Sequence, residues 1–142
     1  METQTAAATP VEAMQPPNQT IERVVAAYFS ALREMDIERL LELFDEDAVS
    51  WDPVGSPPMR VRDKSNNYFR ALSTIFSKMA LREEEVFVAG SEAAVRWTGV
   101  AILRTNPREV DFEGISVFEI NEQGRIQSVR SYWDKATLMA RL

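Results

Sequence analysis

The sequence of 142 residues contains no cysteine and no histidine. These absences exclude disulfide bonds, thiol nucleophiles, zinc sites built from Cys and His, and every catalytic triad or relay that depends on histidine. A general acid or base in this chain must therefore be Asp, Glu, Lys or Tyr.

Basic residues and long apolar runs are also scarce. The 16 Lys and Arg residues are outnumbered by 22 Asp and Glu residues, which gives a formal net charge of -6. We therefore expect no nucleic-acid partner, because phosphate binding needs a basic face. No apolar run approaches the roughly 18 residues of a membrane span, and the N-terminus lacks the pattern of a signal peptide. The sequence thus predicts a cytoplasmic protein with no membrane partner.

The composition changes near residue 18. Residues 1–18 are rich in Ala, Thr, Gln and Pro, with almost no large apolar side chains, and we predict a flexible N-terminal tail there. Residues 19–142 are predicted to form one domain, because this length supports one hydrophobic core but not two.

Three segments carry apolar residues at helical spacing. Thr20, Asp36 and Asp63 are candidate N-caps for the three helices. The apolar stripes consist of Ile21, Val24, Val25, Tyr28, Phe29 and Leu32 in the first helix, Ile37, Leu40, Leu41 and Phe44 in the second, and Tyr68, Phe69, Leu72, Ile75, Phe76 and Met79 in the third.

The rest of the chain reads mainly as strands. Residues 48–52 form a short strand that Pro53 ends, because proline cannot donate to a sheet. Alternating patterns then predict four strands, whose short turns imply antiparallel neighbours, followed by a short terminal helix at 136–142. The four strands are predicted at 81–89, 92–104, 109–120 and 125–134. Helices followed by an antiparallel sheet give an α+β architecture, with an apolar cavity between the helices and the concave face of the sheet.

Two residues are candidates for chemistry in such a cavity. Asp52 ends the first strand beside a Pro- and Gly-rich loop, so it is either a turn-initiating residue or a general base whose pKa is raised by desolvation. Tyr28 lies on the apolar stripe of the first helix, as a core tyrosine or as a hydrogen-bond donor to a developing oxyanion. The residues around each position leave both alternatives open.

Taken together, these residues resemble the bacterial ketosteroid isomerases, within the SnoaL-like branch of the NTF2-like superfamily. The similarity runs from about Thr20 to Leu138 and is most specific at 48–58 (AVSWDPVGSPP) and 124–133 (GRIQSVRSYW). The spacing of Tyr28 and Asp52 also matches the catalytic pair of that family. The resemblance implies a cystatin-like cone, in which a curved antiparallel sheet wraps around the N-terminal helices and an apolar pocket.

The same resemblance implies roles for these residues. Tyr28 would polarise a ketone oxygen and Asp52 would move a proton between two carbons, with no metal or organic cofactor. Ser116 takes the place of a protonated aspartic acid that is the second oxyanion donor in the family. Serine donates one hydrogen bond but is a much weaker acid, so strong isomerase activity is not expected. Phe44 and Phe69 replace two supporting tyrosines, and their ordinary interpretation is core packing.

Strand alternation and the resemblance give a predicted lining for the pocket. It consists of Phe44, Met59, Phe69, Phe112, Gly114, Phe118, Val129, Ser131 and Trp133. Gly114 leaves room for a ligand or marks a bend, and the orientation of Trp97 is undetermined. Residues 115, 117, 126 and 132 alternate onto an apolar outer face, which predicts a homodimer.

Four functions fit these residues. The first is an isomerase or lyase that acts on a small hydrophobic carbonyl compound. The second is a non-catalytic module that binds a small hydrophobic ligand or serves as a scaffold, because one fold supports many functions. The third resembles the limonene epoxide hydrolases, whose Asp-Arg-Asp cluster would need Arg96 and Asp111 here. The fourth is a polyketide cyclase that uses the single acid Asp52.

Overall fold

The computed structural model describes residues 16–142, so most of the predicted tail, residues 1–15, lies outside the described residues. The described part contains four helices and six strands. In chain order they are α1 (Asn18–Arg33), α2 (Ile37–Glu42), β1 (Phe44–Trp51), β2 (Met59–Arg60), α3 (Tyr68–Ile75), β3 (Phe76–Ala89), β4 (Glu92–Leu103), β5 (Glu109–Ile120), β6 (Ile126–Tyr132) and α4 (Lys135–Arg141).

The helix starts are partly as predicted. The Asp36 side chain caps α2 by accepting a hydrogen bond from the backbone N–H of Arg39 at 3.2 Å. Helix α1 begins two residues before Thr20, because the carbonyl oxygen of Pro17 accepts the first backbone N–H bonds of the helix. Asp63 caps no helix, since its carboxylate closes a local turn with Ser65.

Two predicted helical stripes extend too far. Phe44 belongs to β1 rather than α2, and Phe76 and Met79 belong to β3 rather than α3. In β3 these two residues pair with Leu103 and Ala101 of β4. Cross-strand pairing with a 12-residue partner therefore outweighs a local spacing that also fits a helix.

The six strands form one curved sheet in the order β2-β1-β6-β5-β4-β3. The four long C-terminal strands are antiparallel neighbours, as predicted. The prediction of a wholly antiparallel sheet is wrong in one place, because β1 pairs with β6 in parallel. The chain reaches β6 only after β2, α3 and three further strands, so this contact has no local turn that would impose the antiparallel direction.

The core lies between the inner face of the sheet and the helices. Trp97, Phe118 and Phe29 are among its largest fully buried side chains. Ile126 also lies in the core, although the outer face was predicted for it, because the pairing of β5 with β6 shifts register next to Ile120. No helix within residues 16–142 is long and apolar enough to cross a membrane.

Candidate functional site

A cavity of about 200 Å³ opens between the helices and the inner face of the sheet. Its walls come from α1, α3, α4, the strands β3 to β5, and the ends of β1 and β6. Most of the lining is apolar, and a few polar side chains converge on it, which is the usual composition of a small-molecule site. These polar groups are Tyr28, Asp52, Tyr68, Ser116, Ser131, Trp133 and the exposed Lys135.

Asp52 reaches the cavity because β1 ends immediately before it. The backbone N–H of Val54 donates to the carbonyl oxygen of Ser131 at 2.8 Å, so the loop after Asp52 is tied to β6. The indole Nε1 of Trp133 donates a hydrogen bond of 2.6 Å to Oδ1 of Asp52. These contacts hold the carboxylate at the wall, between the ends of two parallel strands.

Burial raises the pKa of Asp52, because the apolar walls disfavour the charged form. Hydrogen bonds from Trp133 and from the hydroxyl of Tyr68 act in the opposite direction, but the pKa stays above its ordinary value. Among residues 16–142, Asp52 is the sole carboxylate in the cavity lining. This is the environment expected for a general base that works near neutral pH.

Tyr28 lies on the cavity side of α1 and is buried to 5% exposure. Aromatic rings hold it in place, with the ring centroid of Phe118 at 4.9 Å and that of Phe29 at 5.1 Å. Burial, and secondly the negative charge of Asp52, raise the pKa of the Tyr28 phenol. The hydroxyl therefore stays protonated over the physiological range and can act as a hydrogen-bond donor in the cavity.

Tyr68 is a functional candidate that the sequence did not reveal. It is the first residue of α3 and lines the cavity, where its hydroxyl interacts with Asp52 and lowers the pKa of that carboxyl group. Burial, followed by the charges of Asp52 and Tyr28, raises the pKa of Tyr68. The sequence showed only an aromatic residue on an apolar stripe, and its orientation toward Asp52 depends on where α3 begins.

Ser116 and Ser131 face each other across β5 and β6, with their Oγ atoms 2.8 Å apart. The indole Nε1 of Trp97 donates to Oγ of Ser116 at 3.0 Å. Trp97, whose orientation the sequence left undetermined, therefore belongs to the cavity wall and is 1% exposed.

The structure brings together most of the predicted site residues, although their roles stay predictions. Four of the nine predicted binding residues line the cavity, namely Phe69, Phe112, Ser131 and Trp133. Phe44, Phe118 and Val129 are fully buried in the core and do not line the cavity. Met59 lies on the short edge strand β2, also outside the lining.

Gly114 makes room for a side chain rather than for a ligand. It pairs with Trp97 across β4 and β5, and a Cβ atom at this position would lie 2.6 Å from Cζ2 of the Trp97 indole. The same Cβ atom would lie 2.5 Å from the carbonyl oxygen of Tyr132. Glycine at this position thus allows the indole to reach Ser116.

The residues required for an Asp-Arg-Asp cluster lie elsewhere. Arg96 is exposed on the outer face of the sheet and bonds to Glu85, with an Nε–Oε1 distance of 2.7 Å. Asp111 is exposed as well and does not line the cavity. The structure therefore gives no support to a hydrolase centred on these two residues.

Comparisons with known proteins place this site in context. The profile of the SnoaL-like domain family matches residues 25–129, about three quarters of the chain. The epoxide hydrolase/cyclase-like enzyme SalBIII, described in pyran ring formation in the polyether salinomycin, is 26% identical. Its TM-score is 0.72, over 84% of this chain and 94% of that chain.

Two further structures show the same fold at lower identity. A protein from Xanthomonas campestris pv. campestris, described as a candidate polyketide cyclase, is 18% identical with a TM-score of 0.76, over 87% of this chain and 96% of its own. An LEH-like epoxide hydrolase from M. tuberculosis is 23% identical with a TM-score of 0.74, over 89% of this chain and 92% of its own.

Proposed function

Because the chain belongs to the SnoaL-like domain family, we propose that its cavity is the active site of a cofactor-independent isomerase or lyase. The substrate is a small hydrophobic carbonyl compound, and Asp52 is the base. The observation that carries this proposal is that, among residues 16–142, one desolvated carboxylate lines an apolar cavity that also contains a protonated tyrosine. A carboxylate in this environment removes a proton from carbon more readily than an aspartate in water.

The reaction conserves the protons of the substrate. The Asp52 carboxylate removes a proton from the carbon next to the carbonyl group, and the electron pair moves onto the carbonyl oxygen. The Tyr28 hydroxyl donates a hydrogen bond to the resulting enolate oxygen, a charge that is absent from the ground state. The protonated Asp52 then returns the proton to a different atom of the same substrate and is restored as a base.

The size of the cavity favours a substrate smaller than a steroid. Its volume of about 200 Å³ lies below the roughly 300–1,000 Å³ of sites that enclose drug-sized ligands. Ile75 and Met139 also line the cavity and are 48% and 50% exposed. They form an apolar rim that extends the binding surface toward solvent.

The proposal is tested by following enone formation from small β,γ-unsaturated ketones by ultraviolet absorbance. We expect the wild-type protein to accelerate conjugation and Asp52→Asn to reduce the rate at least a hundredfold, since base catalysis contributes roughly 10²–10⁴ in rate. Asp111→Asn is the matched control, because it removes an exposed carboxylate outside the cavity. Equal rates for the wild type and Asp52→Asn would contradict the role of Asp52 as base.

A second candidate is the opening of an epoxide by a hydroxyl group of the same substrate, which closes an ether ring. It is favoured by the 26% identity to the epoxide hydrolase/cyclase-like enzyme. Here Asp52 would remove the proton of the attacking hydroxyl, whose oxygen forms a new C–O bond as the C–O bond of the epoxide breaks. Tyr28 or Tyr68 would donate a hydrogen bond to the departing epoxide oxygen, and Asp52 would then return the proton to the resulting alkoxide. Incubation of hydroxy-epoxides in H₂¹⁸O distinguishes the outcomes by mass spectrometry, because ring closure incorporates no ¹⁸O whereas hydrolysis does.

A non-catalytic binding module is the alternative outcome of both assays. In that case small ketones would bind in the cavity without turnover, and Asp52→Asn would change affinity alone. Isothermal titration with the same ketones measures this affinity independently of the rate.

We also propose that the outer face of the sheet forms a homodimer. The side chains of Phe87, Ile115 and Tyr132 are 64%, 45% and 47% exposed there, and the strand register places them on adjacent rows. Exposed apolar groups grouped in this way mark association surfaces. Sedimentation equilibrium should give a dimer for the wild type and a monomer for Ile115→Glu, with Val54→Glu, at a 43% exposed loop position, as the control.

A further inference from the structure

The hydroxyl groups of Ser116 and Ser131 are buried and have few polar neighbours in the protein. Both residues are 3% exposed, and both line the cavity. Among the described residues, the only hydrogen-bond partners of these hydroxyls are each other and Trp97. Buried hydroxyls normally have hydrogen-bond partners, and each has one donor and two acceptor sites, so the bonds of this group can be counted.

The count leaves one proton free. Two serine hydroxyls carry two protons, and the Oγ–Oγ contact of 2.8 Å uses one of them. The indole N–H of Trp97 only donates, so it fills an acceptor site on Ser116 and takes up no proton. One hydroxyl proton of the pair therefore has no acceptor among the described residues, and the cavity is the open space that both serines face.

Trp97 also affects which serine offers this proton. With the indole bonded to Oγ of Ser116, the second acceptor site of that oxygen is available to Ser131. If Ser131 donates into it, Ser116 accepts two hydrogen bonds, and its own proton must point away from both donors. Accepting two bonds also polarises the Ser116 O–H group and makes it a stronger donor.

We propose that Ser116 and Ser131 act as one hydrogen-bond donor toward a substrate oxygen, with Trp97 as the residue that positions the donated proton. This inference rests on the proposed function, because it assigns a second donor to the oxygen that Tyr28 contacts. The serine pair supplies a directed O–H group without a second carboxyl group. Gly114 is part of the arrangement, since a larger residue there would displace the indole.

The arrangement also defines the ligand class. A hydroxyl donor without a charge stabilises a carbonyl, enolate or phenolate oxygen but does not neutralise a carboxylate. The ligand therefore has one oxygen that becomes more negative during the reaction, attached to an apolar body. Phenols reproduce this feature without reacting, because the bound phenolate presents a negatively charged oxygen to the same donors.

The experiment measures binding of 4-nitrophenol in the Asp52→Asn background, which removes the nearby negative charge. Absorbance distinguishes bound phenol from bound phenolate. Ser116→Ala and Ser131→Ala should each weaken phenolate affinity roughly tenfold to a hundredfold, as expected for loss of a hydrogen bond to a charged group. Ser128→Ala is the matched control, because its hydroxyl bonds to Glu119 instead of facing the cavity, and it should leave the affinity unchanged.

Trp97→Phe keeps an aromatic ring but removes the N–H group. It should weaken phenolate affinity about threefold to tenfold, and the double variant Trp97→Phe/Ser116→Ala should bind no more weakly than Ser116→Ala alone, since a positioning residue acts through Ser116. Additive losses would overturn the positioning role. The affinity for 4-nitroanisole, which cannot form a phenolate, should stay the same in all of these variants.

Unchanged phenolate affinity in both serine variants, or a parent protein that shows no preference for phenolate over phenol, would overturn the proposal. Ser131→Ala provides a second variant if Ser116→Ala folds poorly, because it leaves the Trp97–Ser116 bond intact. The outcome is separate from the turnover assay. If the protein has no isomerase activity but its phenolate affinity still depends on the two serines, the proposed reaction is wrong and the proposed donor pair stands.

Discussion

The replacement Asp52→Asn should stabilise the folded protein at neutral pH although it removes the proposed base. In the folded state the apolar walls of the cavity raise the pKa of Asp52 above the ordinary value of 3.8, while the unfolded chain exposes this carboxyl group to water. The asparagine side chain of the variant keeps a carbonyl oxygen that can accept the Trp133 hydrogen bond, and it has no charge to desolvate. The variant therefore removes an energetic cost that the wild-type site carries.

The sign follows from the protons bound by each state. Between the pKa of the unfolded carboxyl group and the higher pKa of the folded one, the unfolded state has lost the proton and the folded state retains it. The free energy of unfolding of the wild type therefore falls as the pH rises through this window, by up to about 1.4 kcal/mol per pH unit. At pH values above the pKa of Asp52 in the folded state, the wild type carries the full cost of burying the charged carboxylate. At pH values below the pKa of the unfolded state, the carboxyl group is neutral in both states and this cost is absent.

Urea denaturation measures the free energies of unfolding of the wild type and Asp52→Asn. The series of pH values runs from about 3 to about 8, which spans the ordinary aspartate pKa and neutrality. The gap in unfolding free energy between the two proteins should be smallest at acidic pH and should grow through the window before it levels off. Asp111→Asn is the control, since it removes an exposed carboxylate outside the cavity. A pH-independent gap, or a wild type that gains stability with rising pH relative to Asp52→Asn, would refute a raised pKa at Asp52.

Three further changes test the same site. Trp133→Phe should raise the pKa of Asp52 further, since it removes a hydrogen bond worth roughly 1.5–3 kcal/mol to the carboxylate. NMR titration of the carboxyl group measures this pKa, and an unchanged value would contradict the prediction. Ser116→Ala should lower stability by about 1–3 kcal/mol in urea denaturation, because the buried N–H of Trp97 loses its acceptor. Gly114→Ala should lower the melting temperature strongly and shift the fluorescence of Trp97. The Cβ atom of the new alanine would overlap both the Trp97 indole and a main-chain carbonyl oxygen. A melting temperature equal to that of the wild type would contradict this overlap.

The parts of the fold that were predictable depend on contacts close in sequence. The buried stripe of α1 and the Asp36 cap of α2 follow from spacing and residue type within one or two helical turns. The parallel contact of β1 with β6 was not predictable, since the two strands are far apart in the sequence and no turn connects them. Phe76 and Met79 were assigned to a helix because their spacing fits both structures, and only the partner strand β4 decides between them.

The site shows the same division between local and distant information. The motifs around Asp52 and Trp133 placed both residues in one pocket, and the structure joins them by a hydrogen bond. Tyr68 was missed because its direction depends on the first turn of α3. The role of Gly114 was left open because the residue that fills its space, Trp97, lies on another strand whose inward face could not be assigned.

Within residues 16–142, Asp52 is the one carboxylate that lines the cavity, and this constrains the chemistry more than the shape of the cavity does. Tyr28 and Tyr68 keep their protons at neutral pH, because burial and the charge of Asp52 both raise their pKa values. Neither tyrosine is therefore an ionised base that could take the proton from Asp52, which fits reactions in which Asp52 itself returns the proton to the same substrate, such as isomerisation or internal ring closure. For such a reaction, kcat/KM should rise with pH through one ionisation, the pKa of Asp52, and then stay level into mildly alkaline solution. A bell-shaped profile with a descending limb near neutral pH would require a second titrating acid and would contradict this assignment.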